Sequence, residues 1–211
     1  MNIKVCGITT LKQLKQLDGL EIDYAGFVFT KSSPRFAGNK ISAKELKNAD
    51  FDIKKVGVFK NPEMIDVLNA IDDYGLDVVQ LNGNETPGMC EDLSSEVEVI
   101  KAFSVAGGVV DIDQMIAAYD AVCDFYLFGT GDENGELEGA ERQFDWALLD
   151  KSRIEKPFFL SGGIGPGDVT RIKAFRHSDF FGIDLNSRFE KAPGEKDMAV
   201  LLKFLQQLKK Q

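Results

Sequence analysis

Three features of the sequence predict an α/β chain closed as a (β/α)8 barrel, the TIM-barrel class. Strand-like apolar runs alternate with helix-like segments eight times in 211 residues, the count and size of such a barrel. The runs are continuously apolar rather than alternating, as expected when helices cover a parallel sheet. No linker or composition shift divides the chain, so a single domain over residues 1–211 is expected. An open doubly wound sheet is the competing architecture. It would usually place a GxGxxG turn after an early strand, whereas "GGIGPG" (162–167) follows the seventh.

The elements follow in order. "NIKVC" (2–6) reads as the first strand, and "TLKQLKQLDGL" (10–20) has apolar residues at helical spacing. "YAGFVF" (24–29) is the second strand, followed by a long polar loop, the short helix "AKELKNA" and the third strand "KKVGVF" (54–59). "NPEMIDVLNAIDDYG" then reads as a helix with Asn61 as N-cap, Pro62 at its first position and Gly75 as its stop. "DVVQLN" (77–82) is the fourth strand, "ETPGMCEDLSS" a short helix and "EVIKAFSV" (98–105) the fifth strand. "DIDQMIAAYDA" (111–121) is a helix starting near Asp111, and "DFYLFGT" (124–130) the sixth strand. After a polar, Gly-rich loop, "FDWALLDKSRI" is helical. "PFFLSGG" (157–163) and "FFGIDLNS" (180–187) are the last two strands, separated by the turn and helix "GPGDVTRIKAFRH". "EKDMAVLLKFLQQLKK" closes the chain as a helix.

Composition narrows the partners. A hydrophobic content of 44% and a charged content of 28% are ordinary for a globular chain. The net charge of −9 argues against nucleic acid or an anionic membrane, which attract clustered Lys and Arg. It leaves room for a small anionic substrate at a locally positive site, and its ordinary meaning is solubility. Three cysteines, an odd count without CxxC spacing, point to a reducing compartment. With one histidine, His177, no zinc site is expected. No basic segment with an apolar h-region opens the chain, and no apolar run approaches the ~20 residues of a membrane span. A cytoplasmic protein is expected.

In a barrel of this class the chemistry lies at the carboxyl ends of the strands. Those tips carry Cys6, the loop Ser33-Pro34-Arg35, Gln80 to Asn82, Lys101 to Phe103, Gly129-Thr130, Ser161 to Gly163 and Asp184 to Ser187. "SGGIGPGDV" brings glycines before a helix start, where bare N–H groups can face an anion. "DLNSRF" adds Asn186 and Ser187. Phosphate often binds at these two loops of a barrel, although glycines there also serve simply to turn the chain. Arg35 can clamp a carboxylate bidentately or stand solvated. Cys6 is either a core filler or a base whose thiolate is favoured by nearby positive charge. Lys4 shares its face of the strand and either supports the thiolate or fills the barrel. His177, at the end of the seventh helix, and Trp146 read as structural.

The ordered set "KVCGIT" (4–9), "GFVFTKSSPR" (26–35), "VGVF" (56–59), "DVVQLNGNE" (77–85), "FDW" (144–146), "LSGGI" (160–164), "GIDLNSRFE" (182–190) and "APGEKD" (192–197) resembles the phosphoribosylanthranilate isomerase family of tryptophan biosynthesis. The resemblance spans nearly the whole chain. It implies an Amadori rearrangement of N-(5′-phosphoribosyl)anthranilate, a small phosphorylated substrate, without cofactor or metal. It makes Cys6 the general base and Arg35 the clamp for the anthranilate carboxylate. It puts Gln80 and Asp184 against the substrate and the phosphate at Gly162, Gly163, Asn186 and Ser187. Oligomeric state is not readable from the sequence.

The chain departs from the family pattern at the general acid. The family has an aspartate at the end of the sixth strand, in a stretch like "LFDT". Here Leu127-Phe128-Gly129-Thr130 puts Gly129 at that position. Asn82 and Asn84 replace the familiar histidine and acidic residue after the fourth strand, and the loop "GDENGELEGAERQ" is unusually acidic. Glycine cannot donate a side-chain proton, so Asp132, or Glu133 beside it, is the nearest substitute acid. The alternative is a sugar-phosphate-binding barrel whose catalysis is weak, lost or altered.

Overall fold

The computed structural model describes residues 1–105, 111–130 and 144–210. Among these, eight parallel strands close into a barrel in sequence order. They are β1 (Asn2–Cys6), β2 (Tyr24–Val28), β3 (Lys54–Phe59), β4 (Val78–Leu81), β5 (Glu98–Ser104), β6 (Phe125–Gly129), β7 (Phe158–Leu160) and β8 (Phe180–Leu185). The ring closes where Lys4 of β1 lies opposite Asp184 of β8.

Helices α1 (Leu11–Asp18), α2 (Ala43–Lys47), α3 (Met64–Tyr74), α4 (Pro87–Ser94), α5 (Ile112–Ile116), α6 (Val169–Ala174) and α7 (Met198–Lys209) lie among the described connections. Local chemistry fixes their starts: the side chains of Thr10, Ser42, Thr86, Asp111 and Asp197 accept backbone N–H bonds as N-caps. Gly75 ends α3 in the left-handed region at φ 61°. The core has two shells. A larger one packs the outward strand residues against the helices, and a smaller one fills the barrel. The amino-terminal end of the barrel is floored by rings: Tyr24 meets Phe159 edge-on at 5.4 Å, and Phe181 packs 4.9 Å from Phe125 and 5.2 Å from Phe159. Chain polarity therefore leaves the other end for polar inward residues.

Three sequence expectations are corrected. Asn61 and Pro62 lie before α3, whose N-cap is Glu63. Long-range hydrogen bonds hold Asn61 instead: its N–H donates to Glu85 Oε1 at 2.8 Å, and its Oδ1 accepts from Asn84 N at 2.6 Å. The segment after Phe144 is helical as expected, in the form of a 3-10 helix, Trp146–Lys151. The helix expected over 111–121 stops at Ile116, and a turn through Tyr119 follows. An antiparallel hairpin, β9 (Glu190–Ala192) with β10 (Glu195–Lys196), precedes α7 where no strand was expected. Its turn is Pro193-Gly194, with Gly194 at φ 82°, as a type II turn requires.

Candidate active site

Cys6 is the last residue of β1 and, with Lys4, points into the barrel. Its neighbour across the ladder is Gly26. A Cβ built at Gly26 would lie 2.9 Å from the Cys6 sulfur, so the missing side chain makes room for the thiol. The next residue, Gly7, turns the chain at φ 80°. A Cβ there would stand 2.8 Å from Arg35 Cδ and 2.9 Å from Asn186 Oδ1. The pair Cys6-Gly7 is thus explained by space: the thiol enters the barrel mouth, and the bare glycine lets two polar side chains close over it.

A buried charge network underlies the thiol. Lys4 Nζ lies 2.9 Å from Asp184 Oδ1 and is wholly buried. Ser161 Oγ donates to the other carboxylate oxygen at 3.1 Å. Burial pushes the Lys4 ammonium down, but Asp184 and Cys6, both within hydrogen-bonding reach, hold it above its ordinary value. Lys4 thus fills the barrel interior and sets its positive charge beside the sulfur.

The same cavity is lined by Cys6, Gln80, Asn82, Ser161, Gly162, Gly163, Asp184, Asn186 and Ser187. Strand tips far apart in sequence therefore converge on one space. Gly162 and Gly163 are both left-handed, at φ 83° and 64°. A Cβ at Gly162 would lie 2.6 Å from Thr130 N, so close packing on the β6 tip demands glycine there. The later part of the glycine stretch serves another purpose, since Gly165 N–H donates to Asp168 Oδ2 at 2.7 Å. Gln80 donates to Asn82 Oδ1 at 2.7 Å, while its own Oε1 is buried without a hydrogen-bond partner among the described residues. Such an atom calls for a ligand donor or water. A more open depression of about 380 Å³ adjoins through Asn82, walled by Lys60, Phe103, Met115 and Tyr119.

Arg35 is buried in a bidentate pair with Glu190, Nε to Oε1 at 3.0 Å and Nη2 to Oε2 at 2.6 Å. Glu190 also accepts from Lys196 Nζ at 2.7 Å and Gly194 N at 3.0 Å. Burial raises the Glu190 carboxyl, but Arg35 and Lys196 outweigh it and hold the group below its ordinary range. Burial pushes the Lys196 ammonium down further than Glu190 and Cys6 raise it, and Arg35 adds to the fall. The sequence reading missed Glu190 and Lys196 as a cluster. The one local signal for them is the Pro-Gly turn that folds the hairpin back.

Gly129 is buried at the end of β6, opposite Ser104, and on the inward register of Leu127. It brings no side chain to the cavity. Asp132 and Glu133 lie outside the described residues. His177 is held away from the strand tips, its ring 5.0 Å from that of Phe158 and its Nδ1 accepting from Asp179 N. Trp146 is buried edge-on against Phe175, with the Arg171 guanidinium 3.7 Å over its ring. Both are packing residues. Among the described residues no group of three or more His, Cys, Asp or Glu side chains is arranged to hold a metal ion, and no helix is long and apolar enough to cross a membrane.

Comparison with known proteins agrees with this geometry. Residues 3–207 match the family model described as N-(5′-phosphoribosyl)anthranilate (PRA) isomerase. The N-(5′-phosphoribosyl)anthranilate isomerase of Parabacteroides distasonis is 37% identical over 210 residues, covering 99% of this chain and 93% of that protein. That of Phocaeicola vulgatus is 35% identical, covering 99% and 98%. The crystal structure of the Thermus thermophilus phosphoribosyl anthranilate isomerase superposes with a TM-score of 0.81 at 27% identity, covering 99% and 98%. A phosphoribosyl anthranilate isomerase in complex with reduced 1-(o-carboxyphenylamino)-1-deoxyribulose 5-phosphate superposes with a TM-score of 0.76 at 29% identity, again covering 99% and 98%. With a thiol, a carboxylate and a glycine-lined strand tip gathered at one barrel mouth, this chain belongs to the N-(5′-phosphoribosyl)anthranilate isomerase family.

Proposed function

We propose that the chain isomerises N-(5′-phosphoribosyl)anthranilate to 1-(2-carboxyphenylamino)-1-deoxyribulose 5-phosphate. The observation that carries this reading is the convergence of Cys6, Asp184 and the cradle residues Gly162, Gly163, Asn186 and Ser187 on one cavity. The phosphate sits at the cradle. Arg35 clamps the anthranilate carboxylate, with Glu190 setting the plane of its guanidinium. Gln80 and Asp184 contact the sugar.

The furanose ring oxygen gains a proton as its bond to C1 breaks, leaving a Schiff base. The Cys6 thiolate, favoured by Lys4, then removes the C2 proton, and the resulting enolamine tautomerises to the ketone. Protons are moved and none is gained or lost, so no redox partner is needed. A cytoplasmic, small-molecule setting fits the net charge of −9.

Gly129 supports a second reading, a sugar-phosphate binder with weak or altered catalysis. A positioned acid is worth about 10²–10⁴-fold in rate, and the β6 tip supplies none from its own side chain. The two readings separate in a fluorescence assay on freshly generated phosphoribosylanthranilate. The isomerase reading expects substrate fluorescence to fall with the unaltered chain, to fall faster with Gly129→Asp and to persist with a folded Cys6→Ser. Undiminished fluorescence with both the unaltered chain and Gly129→Asp, each shown to be folded, overturns the isomerase reading and favours the binder.

A further inference from the structure

Lys196 is a buried ammonium that none of the steps above uses. Its side chain is wholly buried, and acceptors surround it: Glu190 Oε1 at 2.7 Å, Asn186 Oδ1 at 2.8 Å and the Asn186 carbonyl at 3.4 Å. Three acceptors account for the three N–H bonds of an ammonium. It therefore has no donor to spare for a substrate, and it does not line the cavity. Asn186, by contrast, does line the cavity beside Gly162 and Ser187.

An ammonium donates only, so the Asn186 atom facing it must be the carbonyl oxygen. The orientation of this amide, ambiguous for an isolated asparagine, is thereby set. Its Nδ2 is turned away from Lys196 and bonds no protein atom among the described residues. Gly7 packs against the back of this bond. A Cβ there would lie 2.9 Å from Asn186 Oδ1 and 3.3 Å from Lys196 Nζ.

We infer that Lys196 is a positioning residue for the phosphate subsite, locking the Asn186 amide with its two Nδ2 donors presented to the anion. Glu190 holds Lys196 in turn and joins it to Arg35, so one hairpin braces both anion-binding arms. The inference rests on the phosphate cradle of the proposed function and not on the catalytic role of Cys6.

The test is a double-mutant cycle read by inorganic phosphate binding, with thermal unfolding to confirm folding. Lys196→Met is expected to weaken phosphate binding on the order of tenfold, the worth of a charge-assisted hydrogen bond. Asn186→Ala should weaken it to a similar degree. Adding Lys196→Met to Asn186→Ala should change binding no further, because the group through which Lys196 acts is gone. A full second loss in the double variant overturns the positioning role while leaving the cradle intact. Absence of phosphate binding by the unaltered chain overturns the cradle and the inference with it. Should Lys196→Met fail to fold, Asn186→Asp decides. Lys196 would hold one carboxylate oxygen and aim the other at the anion, so Asn186→Asp must bind phosphate more weakly than Asn186→Ala. Equal or tighter binding refutes the inference. In the isomerase assay Lys196→Met should raise KM far more than it lowers kcat, a split that general destabilisation does not produce.

Discussion

Gly26→Ala is the sharpest probe of how the thiol is held. The added Cβ would lie 2.9 Å from the Cys6 sulfur, 3.0 Å from its Cα and 3.2 Å from its Cβ. The first contact is closer than non-bonded heavy atoms tolerate, and the second, to the backbone of a paired strand, is tight enough that the strand must give by a few tenths of an ångström. Rotating the Cys6 side chain relieves only the sulfur contact. Either β1 and β2 part locally or the thiol is driven from its place, by on the order of half an ångström. Overpacking of this kind costs about 1–3 kcal/mol. A misplacement of about 1 Å at a reacting group can cost about 10²-fold in rate, so a kcat between roughly one tenth and one hundredth of the unaltered value is expected. Urea unfolding gives the stability loss, the fluorescence assay gives kcat, and alkylation of Cys6 by iodoacetamide, mapped by mass spectrometry, reports on the sulfur directly. A Gly26→Ala chain with unchanged stability, kcat and alkylation rate would refute the claim that Gly26 exists to seat the thiol.

Two further predictions concern the buried charges. Asp184→Asn leaves Lys4, wholly buried, without its counter-charge and is expected to lower stability by about 3–5 kcal/mol. Lys4→Met combined with Asp184→Leu should recover most of that loss in urea unfolding. A double variant no more stable than Asp184→Asn would show that the network contributes more than mutual neutralisation. Glu190 has its folded value held below its ordinary 4.5. Its contribution to stability is therefore present above pH 4.5 and is lost as the pH falls through the lower, folded value. Urea midpoints measured from neutral pH downward should show Glu190→Gln flattening this acid-side decline. Parallel profiles for the two chains would contradict the pairing.

The barrel was legible because its eight strands are short apolar runs, and burial on both faces writes the same signature into each. Cys6, Arg35, Asp184 and the glycine cradle were legible as strand-tip residues once the barrel was assumed. Three things were not. Asn61 looks like a helix cap in its local context, but its partners, Glu85 and Asn84, are more than twenty residues away. The Arg35–Glu190 pair spans 155 positions, and no period of helix or strand encodes such a distance. Gly26 reads as an ordinary strand glycine until the register puts it opposite Cys6. In each case the missing information is tertiary. Local rules report what a segment prefers, whereas these residues are chosen for what the fold brings beside them.

The proposed reaction has two proton transfers, and the chain equips them unequally. The base side is built on rigid strands: Cys6 on β1, seated against Gly26, with Lys4 and Asp184 locked beneath. The acid side rests on the β6 tip, where Gly129 offers no donor. Ring opening should therefore be the slow step, and removal of the C2 proton by Cys6 should follow it quickly. A slow earlier step hides the isotope effect of a later one, so substrate deuterated at C2 should turn over at nearly the same rate as ordinary substrate. Gly129→Asp should speed ring opening by up to the roughly 10²–10⁴-fold that a positioned acid gives. Proton abstraction at C2 then limits the rate, and a large primary isotope effect should emerge. The opposite pattern, a full isotope effect in the unaltered chain that Gly129→Asp leaves unchanged, would mean that ring opening is already fast. An acid other than the residue at position 129 would then be at work, and the carboxylates of the loop after β6 would become the groups to mutate next.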